Sequence, residues 1–390
     1  MILSNFSSGD QTFLDLFKKQ LGKSDKSYFL INKYSLNDFI MSYNENLNIK
    51  YFDSNSYNNL KLINRVLKEI NSDIIILSGT YSACNYNESF YNFLKQLLNI
   101  CKTLFIIMYD TTPKNNIDLK NNFPDGINFI YPCPHATPGY TDKNIFYWQS
   151  YGIKPHIDKS QYKNIRQKLG CKDNEKIIFM PISAWVYRFY PITKIITNYY
   201  SYIRSVLSYI LHDLPTHLVI VDPVTNKQEF HFKQNRMYIH LYPLLHPKFF
   251  EELLLSSDLF IGEYCMQSSL IKALSCSIPV ILLENKWLKD PLNLNYIPFD
   301  LKPIFENMLL EEFKPVINSW ILTNNRFSNE KYFQLLYKCE MFDVKNNKNI
   351  FYDLLFNEKT KNKFISNQRK YMESISNIPF ADQIINKFYC

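Results

Sequence analysis

Apolar residues in this chain fall in short unbroken runs that alternate with stretches of helical spacing. Runs at 1–4, 28–31, 49–52, 74–77, 104–108 and 128–131 predict strands. Between them, 11–21 (Phe13, Leu14, Leu16, Phe17, Leu21), 60–70 and 90–98 carry the spacing of amphipathic helices. Continuous apolar strands alternating with helices indicate a parallel sheet covered on both faces. From 132 to 155 the chain is rich in Pro, His, Gly and aromatics without a period, and reads as a connection or a functional loop. The alternation then restarts: strands over 176–180, 217–221, 237–241, 259–261 and 280–283, helices over 193–211, 248–255 and from 267–269 onward. The last stretch, from about residue 300, is mainly helical and polar, with 361–388 expected as a terminal helix.

Two successive βα series of domain size predict an α/β fold with two Rossmann-like domains facing across a cleft. Expected boundaries are 1–155, 156–360, and 361–390 as a helical return to the first domain. A length of 390 residues suits two domains. The 46% apolar and 21% charged content is that of a globular protein. The 29 Tyr and 30 Phe accompany abundant Asn, Lys and Ile, which coding bias explains better than a stacking surface.

A formal charge of +8 favours anionic ligands such as nucleotide diphosphates, or peripheral contact with an anionic membrane face. It is too diffuse for nucleic-acid binding. Eight Gly residues and no glycine-rich phosphate loop argue against a Rossmann dehydrogenase or a P-loop kinase. The eight Cys (84, 101, 133, 171, 265, 276, 339, 390) form no Cys-x-x-Cys pair, which points to reduced thiols, a cytoplasmic setting and no zinc site. No signal peptide or membrane-spanning run is expected.

Residues 258–283 concentrate the chemistry. A buried strand, a polar turn, a helix opening at Gln267, Ser268 and Ser269, then Pro279 and a second strand place a helix N-terminus at the carboxyl end of a parallel strand. Its free N–H groups and positive dipole end suit an anion. The order strand, hydroxyl-bearing helix start, Ala-Leu, small residues, Pro, strand resembles the donor-binding segment of the GT-B glycosyltransferases, specifically across 236–283. That resemblance implies a metal-independent transfer from a nucleotide-diphosphate sugar, with no cofactor beyond the donor, to an acceptor hydroxyl or amide.

Aligning 273–279 to the family's Glu-Ala-small-Gly-Val-Pro places Lys272 where most members carry a ribose-reading Glu, and Ser277 where they carry Gly. A Lys cannot accept a hydrogen bond. Either ribose is read elsewhere or the donor lacks the 2′-hydroxyl, as a dTDP-sugar does; Lys272 also reads as a solvated helix residue. Further donor contacts implied by the resemblance are Ser183, Trp185 and Arg188 after the 176–180 strand, and Tyr242 and Leu244 near the nucleobase. Glu263 is a candidate for sugar hydroxyls. Trp185 equally reads as packing between sheet and helix.

For the acceptor base, Asp10 precedes the first helix and reads as an N-cap or as the base. His135, in the loop 132–140, is the rival. Gly9-Asp10 and the cation at 272 give a faint likeness to bacterial protein-arginine rhamnosyltransferases, which use a dTDP-sugar. Inversion at the anomeric carbon is expected. Two alternatives stand beside this reading: a sugar-nucleotide 2-epimerase, disfavoured by sparse acidic loops, and a catalytically inactive GT-B-like binding subunit.

Overall fold

The structure is a computed structural model that describes residues 2–4, 17, 20–21, 28–32, 48–52, 65, 68–69, 73–78, 88–109, 112–113, 123–151, 159–182, 193–222 and 228–388. The chain divides into two compact units, Met1–Ile153 with Glu373–Cys390, and Lys154–Met372.

Unit 1 is built on seven strands: β1 (Ile2–Ser4), β2 (Tyr28–Asn32), β3 (Asn48–Phe52), β4 (Ile74–Ser78), β5 (Thr103–Ile107), β6 (Ile127–Cys133) and β7 (Ile145–Gln149). They pair in the order β3-β2-β1-β4-β5-β6-β7, all parallel. β5 shows why its sequence is an apolar run: it lies inside the sheet and all five residues are buried. Helix α1 (Glu88–Leu98) covers one face, packing Phe93, Leu94 and Leu97 against Ile75, Leu77, Leu104 and Ile106. At the far edge the Gln149 amide donates to Pro379 O, just before the short helix Ala381–Ile385.

Unit 2 repeats the plan. Its strands are β8 (Lys176–Pro181), β9 (Thr216–Val221), β10 (Phe230–Gln234), β11 (Met237–Tyr242), β12 (Leu259–Gly262), β13 (Val280–Glu284) and β14 (Tyr337–Glu340). The order is β10-β11-β9-β8-β12-β13-β14, parallel except for β10, which runs antiparallel to β11. Without β10 this is the 3-2-1-4-5-6 winding of a Rossmann sheet. Its helices are α2 (Lys159–Lys168), α3 (Thr193–Leu211), α4 (Pro247–Leu255), α5 (Ser268–Ser275), α6 (Lys302–Met308), α7 (Lys314–Phe327), α8 (Val344–Phe356) and α9 (Glu358–Ser374). α3 carries a long apolar face: Ile196, Tyr199, Ile203, Val206, Leu207 and Ile210 are buried at three- and four-residue spacing against the sheet and α7.

The α/β class and both parallel sheets agree with the sequence reading. Three strands do not follow from it. β7, β10 and β14 are all sheet edges, where an unbroken apolar run is not required. β7 therefore hides inside the expected 132–155 connection, with only its last two residues buried. β10 is exposed at four of five positions, and β14 (YKCE) has one buried residue. The short helix α2 is also unexpected, because its sequence is nearly all polar. The helices expected over 11–21 and 60–70 lie largely outside the described residues.

At the end of α5 the chain reverses into β13 through Ser277, whose backbone is left-handed (φ 61°). The amides of Ser277 and Ile278 close back on Leu274 O and Ala273 O, and Ser277 Oγ accepts from Arg369 Nε at 3.1 Å. Glycine adopts this conformation without the steric cost of about 1–2 kcal/mol that other residues meet. Ser277→Gly is expected to leave the urea-unfolding midpoint nearly unchanged, lower strain offsetting the greater freedom of the unfolded chain. Ser277→Val is expected to destabilise by about 1–2 kcal/mol; equal effects of the two would show that backbone strain does not govern this turn.

Candidate functional site

The winding order of unit 2 reverses between β8 and β12, and open α/β sheets bind ligands outside the strand carboxyl ends at such a point. β8 and β12 pair only through Leu259↔Ile178 and Phe260↔Phe179. Beyond Phe260 they separate, and the gap is spanned by a side chain: Gln267 Nε2 donates to Pro181 O at 2.8 Å. Gly262, the last residue of β12, makes room for this. A Cβ there would stand 2.6 Å from Leu270 Cδ1 and 3.2 Å from Gln267 Oε1.

Gln267 is the N-cap of α5; its side chain makes no cap bond, and its Nε2 donates to Pro181 O. Ser268 and Ser269 open the helix, and no acidic residue lies in its first turn. An uncapped helix start carrying hydroxyls and positive dipole potential is suited to phosphate. The loop before it is held rigidly. Asn324 Oδ1 on α7 accepts from the Cys265 amide (3.3 Å), and Tyr332 Oη donates to Cys265 O (2.9 Å).

Beneath this loop lies a group of carboxyls at the strand carboxyl ends. Glu263, directly after β12, is buried, and burial pushes its carboxyl up to about 8, with Tyr200 hydroxyl beside it and Asp222 nearby. Glu340, the last residue of β14, is likewise pushed up to about 8 by burial, although its Oε2 accepts the Lys286 amide at 2.8 Å. Opposite it in register, Glu284 is paired with Lys286 Nζ at 2.9 Å. A small pocket lined by Glu263, Glu284, Asn285, Tyr199, Trp320 and Met341 lies among these groups. Asn285 Nδ2 donates to Tyr199 Oη at 3.1 Å, and burial raises the Tyr199 hydroxyl well above its ordinary value. The site therefore favours carboxyls that hold a proton near neutrality.

Of the residues expected from sequence, Gln267, Ser268, Ser269 and Glu263 come together at the end of β12. Glu263 is buried beneath the loop, so its side chain is not presented to a ligand at the surface. Lys272 sits one turn into α5 and its Nζ pairs with Glu251 Oε1 of α4 at 2.8 Å, so its cation is already engaged. Tyr242 ends β11, its ring buried against Phe249 and His231, while Leu244 is exposed. His135 belongs to unit 1, fully buried in the turn after β6. Asp10, Ser183, Trp185 and Arg188 lie outside the described residues. Sequence reasoning missed Asp222, Asn285, Glu284 and Glu340. The available signal was positional, since each lies at or just after the carboxyl end of a strand; the β13 run was drawn one residue short and β14 was not expected at all.

A sequence profile for the family of unknown function DUF6365 matches residues 19–389. None of the curated proteins compared matches the chain. Among solved structures, the chain is similar to a glycosyltransferase involved in lipopolysaccharide biosynthesis, at 10% identity and TM-score 0.48, covering 98% of each chain. It is also similar to a glycosyltransferase from Rickettsia africae (15% identity, TM-score 0.42, 91% of this chain and 98% of that one). A UDP-GlcNAc 2-epimerase from Neisseria meningitidis bound to UDP-GlcNAc gives 14% identity and TM-score 0.42 over 91% and 99%. Among the described residues, no helix is long and apolar enough to cross a membrane.

Glu263 and Glu340 give the site a pH signature. Their ordinary value is 4.5 and burial raises both to about 8. Between those values the folded protein retains protons that the unfolded chain has released. Stability therefore falls as pH rises through this window, by up to about 1.4 kcal/mol per pH unit for each group. Glu263→Gln is expected to flatten that slope and to raise the unfolding midpoint at about pH 8 relative to wild type. An unaltered slope across urea titrations from pH 5 to about 8 would show that Glu263 is ionised in the folded protein.

Proposed function

The chain belongs to the family of unknown function DUF6365, and we propose that it is a glycosyltransferase of the GT-B type. In this reading it moves a sugar from a nucleotide-diphosphate donor to an acceptor hydroxyl or amide. The observation that carries the proposal is the start of α5: an uncapped helix N-terminus bearing Ser268 and Ser269, at the switch point of a 3-2-1-4-5-6 sheet. A diphosphate is the leaving group that this arrangement is best suited to stabilise as negative charge develops on it.

The residue assignments follow from the chemistry of each group. Ser268 and Ser269 donate to the phosphates. Arg188, after β8, neutralises them bidentately, with Ser183 adding a hydroxyl and Trp185 stacking on the base. Backbone groups near Tyr242 and Leu244 meet the nucleobase. Asp10 is assigned the deprotonation of the acceptor; His135, the rival from sequence, is fully buried and less suited to reach it. No metal is required at the donor, because dipole and basic side chains offset the diphosphate charge. The engagement of Lys272 by Glu251 supports a donor whose ribose is not read from position 272, and so a dTDP- or UDP-sugar without that contact.

Calorimetric titration with UDP, dTDP, GDP and CMP tests the donor site. Ser268→Ala combined with Ser269→Ala is expected to weaken nucleoside-diphosphate binding at least about tenfold, since hydrogen bonds to charged groups contribute about 1.5–3 kcal/mol each. Unchanged affinity overturns the assignment. A dTDP-sugar is expected to bind at least as tightly as its UDP counterpart, and a clear UDP preference would show the 2′-hydroxyl being read by another residue. Turnover that needs an acceptor supports transfer. Conversion of the sugar nucleotide alone would instead show epimerisation, and binding without turnover a non-catalytic subunit.

A further inference from the structure

At the opposite, amino end of the unit 2 sheet, three residues of different chemistry converge. Cys171 lies in the loop between α2 and β8, Glu175 immediately precedes β8, and His217 is the second residue of β9. One ligand-type atom from each, a thiol sulfur, a carboxylate oxygen and an imidazole nitrogen, lie within 4.8 Å of one another. Glu175 and His217 are buried and Cys171 is half-buried, so the cluster is walled by protein and approached from the cysteine side. Glu175 Oε2 stands 3.0 Å from His217 Nε2 and also accepts the Lys172 amide at 2.8 Å.

The surroundings hold these groups as a built site does. Arg166 Nη2 donates to Lys172 O (2.6 Å) and Glu175 O (2.7 Å), fixing the backbone on which Cys171 and Glu175 are carried. Its charge is paired with Asp258 at 3.5 Å, where Lys176 and Lys361 also approach at 3.9 Å. On the other side, His217 Nδ1 lies 2.9 Å from His240 Nε2 of β11, and His240 Nδ1 lies 3.0 Å from His231 Nδ1 of β10. A histidine whose distal nitrogen is hydrogen-bonded presents its other nitrogen in a fixed orientation and tautomer, the usual outer support of a metal-ligating imidazole.

We propose that Cys171, Glu175 and His217 bind a zinc-class divalent ion, with His240 as the positioning residue behind His217. Zinc accepts this mixture of sulfur, nitrogen and oxygen, with metal–ligand distances of about 2.0–2.3 Å that place ligand atoms roughly 3–4 Å apart. Modest contraction of the cluster reaches that spacing. Water completes four-coordination on the Cys171 side. Thiolate and carboxylate together balance the two positive charges, and the thiol proton is released to solvent on binding. The ion clamps the α2–β8 loop to β9, and through the imidazoles it acts on β11 and the edge strand β10. Its role is structural, since it sits at the amino ends of strands whose carboxyl ends form the candidate donor site.

The full-length protein, stripped with a chelator, is titrated with Co(II). One equivalent is expected to give the visible bands of four-coordinate cobalt and a near-ultraviolet thiolate-to-cobalt band, both bleached by Zn(II). Cys171→Ser is expected to lose the thiolate band while folding normally by circular dichroism. His240→Gln is expected to weaken zinc binding about 10–100-fold while leaving the thiolate band intact at saturation. Zinc is expected to raise the unfolding temperature of wild type but not of Cys171→Ser. Absence of the thiolate band at excess cobalt overturns the proposal, as does its persistence in Cys171→Ser.

Discussion

Unit 2 turns on the short junction between β8 and β12. These two strands share two register pairs, Leu259↔Ile178 and Phe260↔Phe179, at the centre of the sheet. A parted pair of strands exposes backbone groups that must find partners. Gln267 supplies one by donating to Pro181 O. The side chain that makes this bond forms no cap bond on α5, and its Oε1 lies 3.2 Å from where a Cβ at Gly262 would stand. A single side-chain hydrogen bond thus ties the switch point of the sheet to the start of α5, where Gln267 makes no side-chain cap bond.

The two ends of this sheet solve the burial of polar groups in different ways. At the carboxyl end burial outweighs the hydrogen bonds that Glu263 and the half-buried Glu340 receive, and both respond by holding a proton. At the amino end polar groups are matched with one another: Arg166 with Asp258, Glu175 with His217, His217 with His240. The first arrangement stores electrostatic cost near the proposed donor site, as functional regions commonly do. The second spreads charge through a connected network, which is what a structural anchor requires.

Much of the architecture was legible because central parallel strands are mostly apolar, as the runs 104–108 and 217–221 are. The edges were not legible for the converse reason. β10 and β14 are sheet edges, so residues such as Lys233 and Lys338 are tolerated and the run disappears. The helix start at Ser268 was readable from local order alone. Of the carboxyls around it only Glu263 was, because Asp222, Glu284 and Glu340 come from three other strand ends and are brought near only through sheet pairing. The Cys171, Glu175 and His217 cluster escaped in the same way. No metal-binding spacing joins residues 46 positions apart, yet the pairing of β8 with β9 sets Ile177 beside His217 and brings Glu175 to it.

Ser277 shows what departure from a sequence pattern does and does not imply. The resemblance to GT-B donor segments assigns glycine here, and a serine would ordinarily weaken that likeness. Yet the backbone at 277 is left-handed, the conformation for which glycine is selected. The turn that joins α5 to β13 has kept its geometry while changing its residue. Partial offset comes from the hydroxyl, which accepts from Arg369, and from two backbone bonds that close the helix end. Lys272 is a different case. No backbone requirement stands behind it, and its partner Glu251 belongs to the neighbouring helix. The first departure leaves the fold of the turn intact, whereas the second changes the chemistry that the proposed donor site can offer a ribose. Of the two, it is the lysine that separates this chain from the pattern it otherwise follows.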